Sequence, residues 1–452
     1  MIKKIIKSIL FLRYLFIIFI LSVIIFLITP KFFDYSKKES FIKKTLKENY
    51  SINLKNYSNI SYHIFPIPNL EISGANLKFG KDTSEVNVEK LSLRLDFKQI
   101  YQIKLFNTKK ILIEKGNFKV DTKNFKLFLE DINNLNHYIK VINSAIIIQD
   151  KKNKVTSIEN LNFNNQNGSL IFEGKIFNKK FKSKFYNGKL NIDIPEIGFK
   201  NIVIFSNYSI DGIIGEVKSK ILNNNLNFKF KKEKDFEIFN SFFVNRFIKT
   251  SFDGILKINP YFNFDVIANI QKFDLTNFIK DRNISKKIDN FSNVNKKLIG
   301  KIKIFYKSKK FNYKIIKDAD ITLFFENGDI IFEESILNFE GGSAIFFGNI
   351  SDIDGYTKLK FNLSGKFEDV RKFLKKFKID YKEQNNNMDL NISGSLNIIS
   401  KKINFNHIKI NNTITSKEDQ KYYKDLFESL VNNKLSNILN YKTIREGLFE
   451  IN

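Results

Sequence analysis

The sequence has no cysteine and no tryptophan, and only five prolines, two methionines and three histidines among 452 residues. Without cysteine there are no disulfides, no thiolate metal sites and no cysteine nucleophile. The histidines are His63, His137 and His407, and none has a second histidine or a carboxylate at metal-ligand spacing. No phosphate-binding loop, nucleophile elbow or zinc-protease helix occurs. Glu333 and Glu334 are adjacent, and neighbours on a strand point to opposite faces, which makes them poor partners for acid–base work. Asp352-Ile353-Asp354-Gly355 opens like a calcium loop but lacks the remaining ligands and the closing glutamate, so it reads as a turn. These absences argue against an enzyme, and no cofactor or metal is expected.

What the chain does have is phenylalanine, 49 in all, within a hydrophobic fraction of 43% that can fill a large core. Phe, Ile, Lys and Asn dominate the text, as coding from an AT-biased genome would produce, yet the phenylalanines must still be buried somewhere. The net charge is +28. Lysine is spread along nearly every segment and no compact basic, aromatic platform stands out, so nucleic acid is not expected as a partner. An anionic membrane surface is compatible with this excess.

One long apolar run occurs, from Ile9 to Thr29, interrupted only by Arg13 and Ser22, and uncharged from Tyr14 through Leu21 to Thr29. About 20 residues of helix span a hydrocarbon core. The run leaves through Ile28-Thr29-Pro30-Lys31 without a small-x-small cleavage site, which favours a retained anchor over a cleaved signal. Lysines flank both ends, so the positive-inside rule alone leaves its direction open.

After the anchor, Ser36 to Glu39 reads as a capping box opening a short helix with Phe41, Ile42 and Leu46 on one face. From residue 52 the apolar period becomes two. Leu91, Leu93, Leu95 and Phe97 alternate strictly, as do Ile111 and Ile113, and similar runs continue to Ile410. This is the pattern of strands with one apolar face. Glycines recur within these runs in an apolar-x-Gly-x-apolar setting. Gly254, Gly300, Gly348 and Gly394 lie 46, 48 and 46 residues apart, which suggests stacked units with a strand bend or bulge at each glycine. Two strands run into short amphipathic helices, at Lys272–Ile279 and Lys366–Phe377. Near the end, Thr415 and Glu418 suggest a second capping box. A helix carrying Tyr423, Leu426, Leu430 and Leu435 then follows, suited to cover an open sheet edge.

Strands with one apolar face close into a sandwich or barrel, or curl lengthwise into a gutter, and alternation fits all of these. A gutter would offer Leu91, Leu93, Leu95, Phe97, Ile111 and Ile113 to acyl chains, which bind without directional contacts. Roughly 20–25 strands at about 4.8 Å spacing would make it some 100–120 Å long.

Certain segments resemble a known family. Phe65-Pro66-Ile67-Pro68-Asn69-Leu70-Glu71-Ile72-Ser73-Gly74-Ala75-Asn76-Leu77, then Lys90–Phe97 and Ile111–Phe118, follow the anchor and short helix in the order of the AsmA-like family of Gram-negative envelopes. Asp329–Phe339, Gly341–Gly348 and the strand-to-helix step at Phe361–Phe377 are similar to that family's C-terminal region. Residues 120–250 resemble it poorly. The resemblance implies an inner-membrane anchor with a cytoplasmic N-terminus, a periplasmic domain built as a long curled sheet like that of chorein-type bridge proteins, and phospholipid transport to the outer membrane or outer-membrane biogenesis. Phospholipids, the inner membrane and other envelope proteins are the partners it implies; it lends no catalytic residue. The expected division is 1–30 tail and anchor, 31–125 N-terminal helix and strands, 126–411 sheet groove with repeated strand units, and 412–452 C-terminal helical cap. The expected class is mainly β, a long curled antiparallel-type sheet with one transmembrane helix and a few short amphipathic helices. The alternative function is a non-catalytic structural or adhesive β-protein displayed from the membrane.

Overall fold

Alternating apolar residues place one oily face on every strand, and in the computed structural model those strands pair side by side into an open sheet of 24 strands. The structure describes residues 2–451 except 66, 80–83, 96–100, 102–107, 136, 151–152, 167, 207–211, 258–261, 282–295, 297, 309–314, 354–355, 382 and 432–433. The chain is mainly β, as its period indicates. Two compact units, residues 1–213 and 214–452, divide it, and each is taken by itself.

The first unit begins with helix α1 (Ile2–Ile28), followed by a 3-10 turn at Thr29–Phe32 that Pro30 opens. The apolar stretch Phe11–Phe32 is 22 residues long, and its most apolar window has mean hydropathy 2.8 and no buried residue. At 1.5 Å per residue it is about 33 Å long, enough to cross a bilayer core. Ser22 and Thr29 each donate a hydroxyl to the carbonyl four residues back, at 2.8 Å, which hides both polar groups within the helix. At the helix exit the buried Tyr35 donates to the Pro30 carbonyl at 2.9 Å, and burial pushes its hydroxyl pKa well above the usual range.

Helix α2 (Glu39–Tyr50) follows a 3-10 turn at Ser36–Lys38. The capping box expected at Ser36 does not open this helix: Lys38 occupies the cap position, after the 3-10 turn, and no side chain caps it. Strands β1 (Ile52–Asn56) and β2 (Asn59–His63) share one edge of β3 (Asn69–Phe79). Next come β4 (Ser84–Leu95) and β5 (Thr108–Asp121), both antiparallel to their predecessors. Helix α3 (Phe125–Asn133) then carries the chain across to β6 (Tyr138–Asp150), which lies parallel to β5. The buried Asn165 ties this crossover down. Its side-chain oxygen accepts from Ile139 N–H at 2.6 Å, and its amide donates to the carbonyls of Ile132, Leu135 and His137. That arrangement satisfies a polar group that would otherwise be costly to bury. Strands β7 (Asn153–Gln166), β8 (Ser169–Ile176), β9 (Lys179–Tyr186), β10 (Lys189–Ile194) and β11 (Phe199–Phe205) continue as an antiparallel meander. Apolar residues of α2 (Ile42, Leu46, Tyr50) and α3 (Phe128, Leu129, Ile132) join the inward side chains of the strands in one buried core that runs from Tyr35 to Ile194.

The second unit contains β12 (Ile213–Ile221), β13 (Asn224–Lys232), β14 (Phe236–Val244), β15 (Ile248–Lys257) and β16 (Asn263–Phe273). Helix α4 (Leu275–Lys280) follows, and β17 (Ile299–Lys307) runs parallel to β16. Strands β18 (Ile316–Glu326), β19 (Asp329–Phe339), β20 (Gly342–Ile353) and β21 (Tyr356–Phe367) are antiparallel neighbours. Helix α5 (Val370–Lys375) interrupts before β22 (Met388–Asn397), β23 (Ile403–Ile410) and β24 (Thr413–Ile414). The C-terminal segment is two helices where one was expected, α6 (Lys417–Val431) and α7 (Tyr441–Ile451), with a 3-10 turn at Leu435–Leu439 between them. Its capping box also lies one residue later than expected: Ser416 Oγ accepts from Asp419 N–H at 3.0 Å, and the Asp419 carboxylate accepts from Ser416 N–H at 3.3 Å. Helix α6 lies along edge strand β23, where Glu428 accepts the Ile403 N–H at 3.1 Å and so occupies part of an otherwise open edge. Arg445 and Tyr441 of α7 donate to the Phe377 and Lys376 carbonyls at 2.8 and 2.9 Å, seating that helix just past the end of α5.

The helices that follow β16 and β21 start alike. Asp274 accepts from Asn277 N–H at 3.1 Å, and Asp369 accepts from Lys372 N–H at 3.0 Å, each capping a free helix donor. The Asp369 carboxyl is held below its usual range by that backbone bond, with help from Asn386 and Lys372. Because the folded value is depressed, its stabilisation is present above the unfolded value, about pH 4, and is lost as pH falls through the folded value. Asp369→Asn keeps a capping oxygen at every pH. Amide exchange at Lys372, compared at matched pH, is expected to be similar in parent and variant at pH 7 and to become faster in the parent once pH falls through the depressed folded value of Asp369.

Candidate functional site

The two units treat their apolar strand faces differently. In the first, Leu91, Leu93, Ile111 and Ile113 are all 0% exposed, packed within the core that α2 and α3 help to cover. Leu95 packs against its rim, and Phe97 lies outside the described residues. The sequence reading offered these side chains as an open groove. The structure corrects that for Leu91, Leu93, Ile111 and Ile113, which pack in a core shared with Ile42, Leu46 and Tyr50 of α2 and Phe128, Leu129 and Ile132 of α3.

In the second unit the register aligns the apolar residues of successive strands on one face. Val266 stands opposite Ile302, Ile302 opposite Leu323, and Leu323 opposite Phe332. Further along, Phe346 stands opposite Leu363 and Leu363 opposite Ile392. These side chains are half-buried, shielded by their neighbours on the same face. Among the described residues, a cluster formed by α5 and α7 covers this face at one margin, against Phe339, Phe367, Met388 and Leu390. Elsewhere the apolar row from β16 to β22 remains half-buried. The opposite face is mixed: it carries Lys301, Lys303, Asn349, Lys360 and Asn362 together with Ile267, Phe324, Ile331 and Phe347.

The four repeated glycines all belong to this second unit, on β15, β17, β20 and β22. Their nearly equal spacings therefore cover two, three and two strands, and do not mark one repeated strand unit. Gly254, Gly348 and Gly394 do stand beside register shifts in a neighbouring strand, whereas Gly300 stands in regular ladders on both sides. The structure adds a second role. Gly300 pairs with Phe264 and Phe325, Gly348 with Phe332 and Phe361, and Gly394 with Phe361 and Phe405. Strands one removed from each other are about 9.6 Å apart, yet the rings of Phe264 and Phe325 meet over Gly300 at 5.6 Å. A missing side chain on the middle strand gives the flanking rings room to lean together.

The titratable groups are engaged structurally. His63 lies 3.0 Å from Ser61 and 3.6 Å from Glu71, and Glu71 in turn pairs with Lys90 at 2.6 Å. His137 packs on Tyr50 with centroids 4.4 Å apart. His407 sits between Ser393 and Asn391 at 2.8 and 3.0 Å. Glu333 and Glu334 together stand opposite Phe347 in a bulge with one extra residue, and both are exposed to solvent. Asp354 and Gly355 lie outside the described residues. Among the described residues no group of three His, Cys, Asp or Glu side chains is placed to hold a metal ion.

Of the residues read as the anchor, Ile9 lies in α1, Tyr14 and Leu21 are exposed on it, and Thr29 opens the 3-10 turn that follows. The covering helix α3 was missed in the sequence, although Phe125, Phe128, Leu129 and Ile132 have helical spacing.

The contrast between a filled core and a half-open face has a direct consequence. Leu93→Ala should cost about 2–5 kcal/mol and Leu363→Ala about 1 kcal/mol or less, measured by urea unfolding in detergent. Gly300→Ala should cost about 1–3 kcal/mol in the same assay. Its new Cβ would meet the Phe264 carbonyl oxygen and stand 2.6 Å from that ring's Cγ. No family model, curated protein or solved structure matches the chain.

Proposed function

We propose that the chain is a single-pass membrane protein that binds phospholipid acyl chains on the half-buried apolar face of its second unit. On this reading it acts in lipid transport between membranes or in outer-membrane biogenesis. The observation that carries the proposal is the apolar row from β16 to β22, aligned by register and left half-buried. Water contact at that face is unfavourable, and a flexible acyl chain laid along it gains about 0.8 kcal/mol for each methylene buried. No directional partner is needed, which fits a surface without convergent polar groups. The groove and the chorein-like curl belong to the same proposal, as does membership of the AsmA-like family. That membership rests on the residues from Phe65 to Phe118 and from Asp329 to Phe377. With it come an inner-membrane location, a cytoplasmic N-terminus, a periplasmic domain and a non-catalytic role. The α1 helix, long and apolar enough to span, supports the location.

A second reading, a structural or adhesive β-protein, draws on the first unit, whose apolar face is sealed. The two are separated by extracting the full chain in mild detergent and measuring bound lipid by mass spectrometry. Stoichiometric phospholipid is expected, falling at least about threefold in a Phe361→Asp/Leu363→Asp variant that places charge on the apolar face. Lipid-free protein with normal folding would leave the structural reading.

A further inference from the structure

Apolar and cationic side chains gather at one end of the first unit's sheet. Strand β3 leaves this end and β4 returns to it, and the parallel strands β5 and β6 both start from it. Leu95 N–H donates to the Pro68 carbonyl at 2.9 Å, tying the β2–β3 and β4–β5 connections together. Tyr101, in the β4–β5 connection, donates its hydroxyl to the Phe26 carbonyl at 2.6 Å. Its ring packs against Phe26 at 4.8 Å and Phe33 at 5.8 Å. Phe26 is six residues inside the apolar stretch that ends at Phe32, or about 9 Å along the helix. If α1 spans a bilayer, this end of the sheet stands at the bilayer surface.

The side chains there suit that position. Phe65 in the β2–β3 connection is 85% exposed, Phe32 is 81% exposed, and Ile67, in the same connection as Phe65, is also exposed. Leaving a phenylalanine in water forgoes a burial term that favours any apolar phase it can reach. On the face away from the core, Arg94 stands opposite Lys110, and Lys140 stands opposite Leu112 one position further along. All three cations are within two residues of a strand end, about 7 Å. That is inside the Debye length of about 8 Å at physiological salt. Lys110 lies 4.7 Å over the Tyr138 ring. Burial first, then Arg94 and Lys140, hold its ammonium pKa below the usual value. Among the described residues no carboxylate pairs with any of the three.

We propose that this end of the first unit is a second membrane contact, in which Phe65 and Ile67 enter the bilayer interface and Arg94, Lys110 and Lys140 receive the phosphates of anionic phospholipid headgroups. The proposal rests on α1 being an anchor, and it is independent of whether the second unit binds lipid. It fixes the tilt of the first unit on the membrane through two points.

The absence of native tryptophan makes the test direct. Full-length chains carrying Phe65→Trp, Phe16→Trp or Phe177→Trp are reconstituted in vesicles with and without phosphatidylglycerol, using brominated acyl chains as quenchers. Phe177 is 82% exposed at the turn between β8 and β9, the end of those strands away from the proposed contact. Quenching and a blue shift are expected for Phe65→Trp and Phe16→Trp, and neither for Phe177→Trp. Phosphatidylglycerol should raise quenching at position 65 at least about twofold. Arg94→Gln/Lys110→Gln/Lys140→Gln should abolish that increment. Water-like emission from Phe65→Trp beside a quenched Phe16→Trp overturns the second contact and leaves the anchor standing. An unquenched Phe16→Trp overturns the anchor itself. Equal quenching with and without phosphatidylglycerol overturns the headgroup role of the three cations.

Discussion

A strand cannot choose where its apolar residues go: the period of two sends them all to one face, and that face must then be covered. The rest of this structure follows from how covering is distributed. In the first unit the cover is protein. Tyr50 of α2 and Phe128 and Ile132 of α3 reach into the same core as Leu93 and Ile113, and all are at most 1% exposed. In the second unit the helices α4 and α5 have six residues each, and among the described residues α5 with α7 seals one margin of the face. The same alternation therefore yields a filled core in one unit and a half-open apolar surface in the other.

This is why so much of the architecture was legible and why the choice of groove residues was not. Alternation at Leu91–Leu95 and at Leu359–Leu363 looks the same in sequence, and both segments are strands, β4 and β21. What separates them is a helix that docks from elsewhere in the chain. The information was present: Phe125, Phe128, Leu129 and Ile132 trace a helical stripe directly after β5. Read as another strand-rich stretch, that stripe gave no sign that Leu93 would be sealed. The caps failed for a smaller reason. Ser36 and Thr415 had suitable partners three residues on, but one extra 3-10 turn, and a shift of one residue to Ser416 and Asp419, moved each helix start. Capping chemistry was recognisable in sequence, and its register was decided by the chain around it.

The glycines illustrate a similar limit. Their recurrence suggested a repeated unit, whereas their environment shows a packing need that recurs without a repeat of topology. A sheet this rich in phenylalanine must fit rings side by side on strands about 4.8 Å apart. Phe361 has Gly348 on one side and Gly394 on the other, and Phe264 and Phe325 share the space over Gly300. Glycine among aromatics relieves that crowding, and at Gly254, Gly348 and Gly394 a neighbouring bulge adds local bending.

Such packing also bears on what the open face can hold. Rings that lean on one another across glycine shield part of each other's surface, which fits the half-buried state of side chains such as Leu323, Phe325 and Phe361. Among the described residues that face carries apolar side chains from Val266 to Ile392 and is bounded at one margin by the cluster at Phe367 and Leu374. A folded partner would have to match such a surface ring by ring. An acyl chain conforms to it, since its torsions adjust at little cost and its contacts need no fixed direction. Of the two readings the strands allowed, the one that leaves this face for lipid therefore asks less of its ligand.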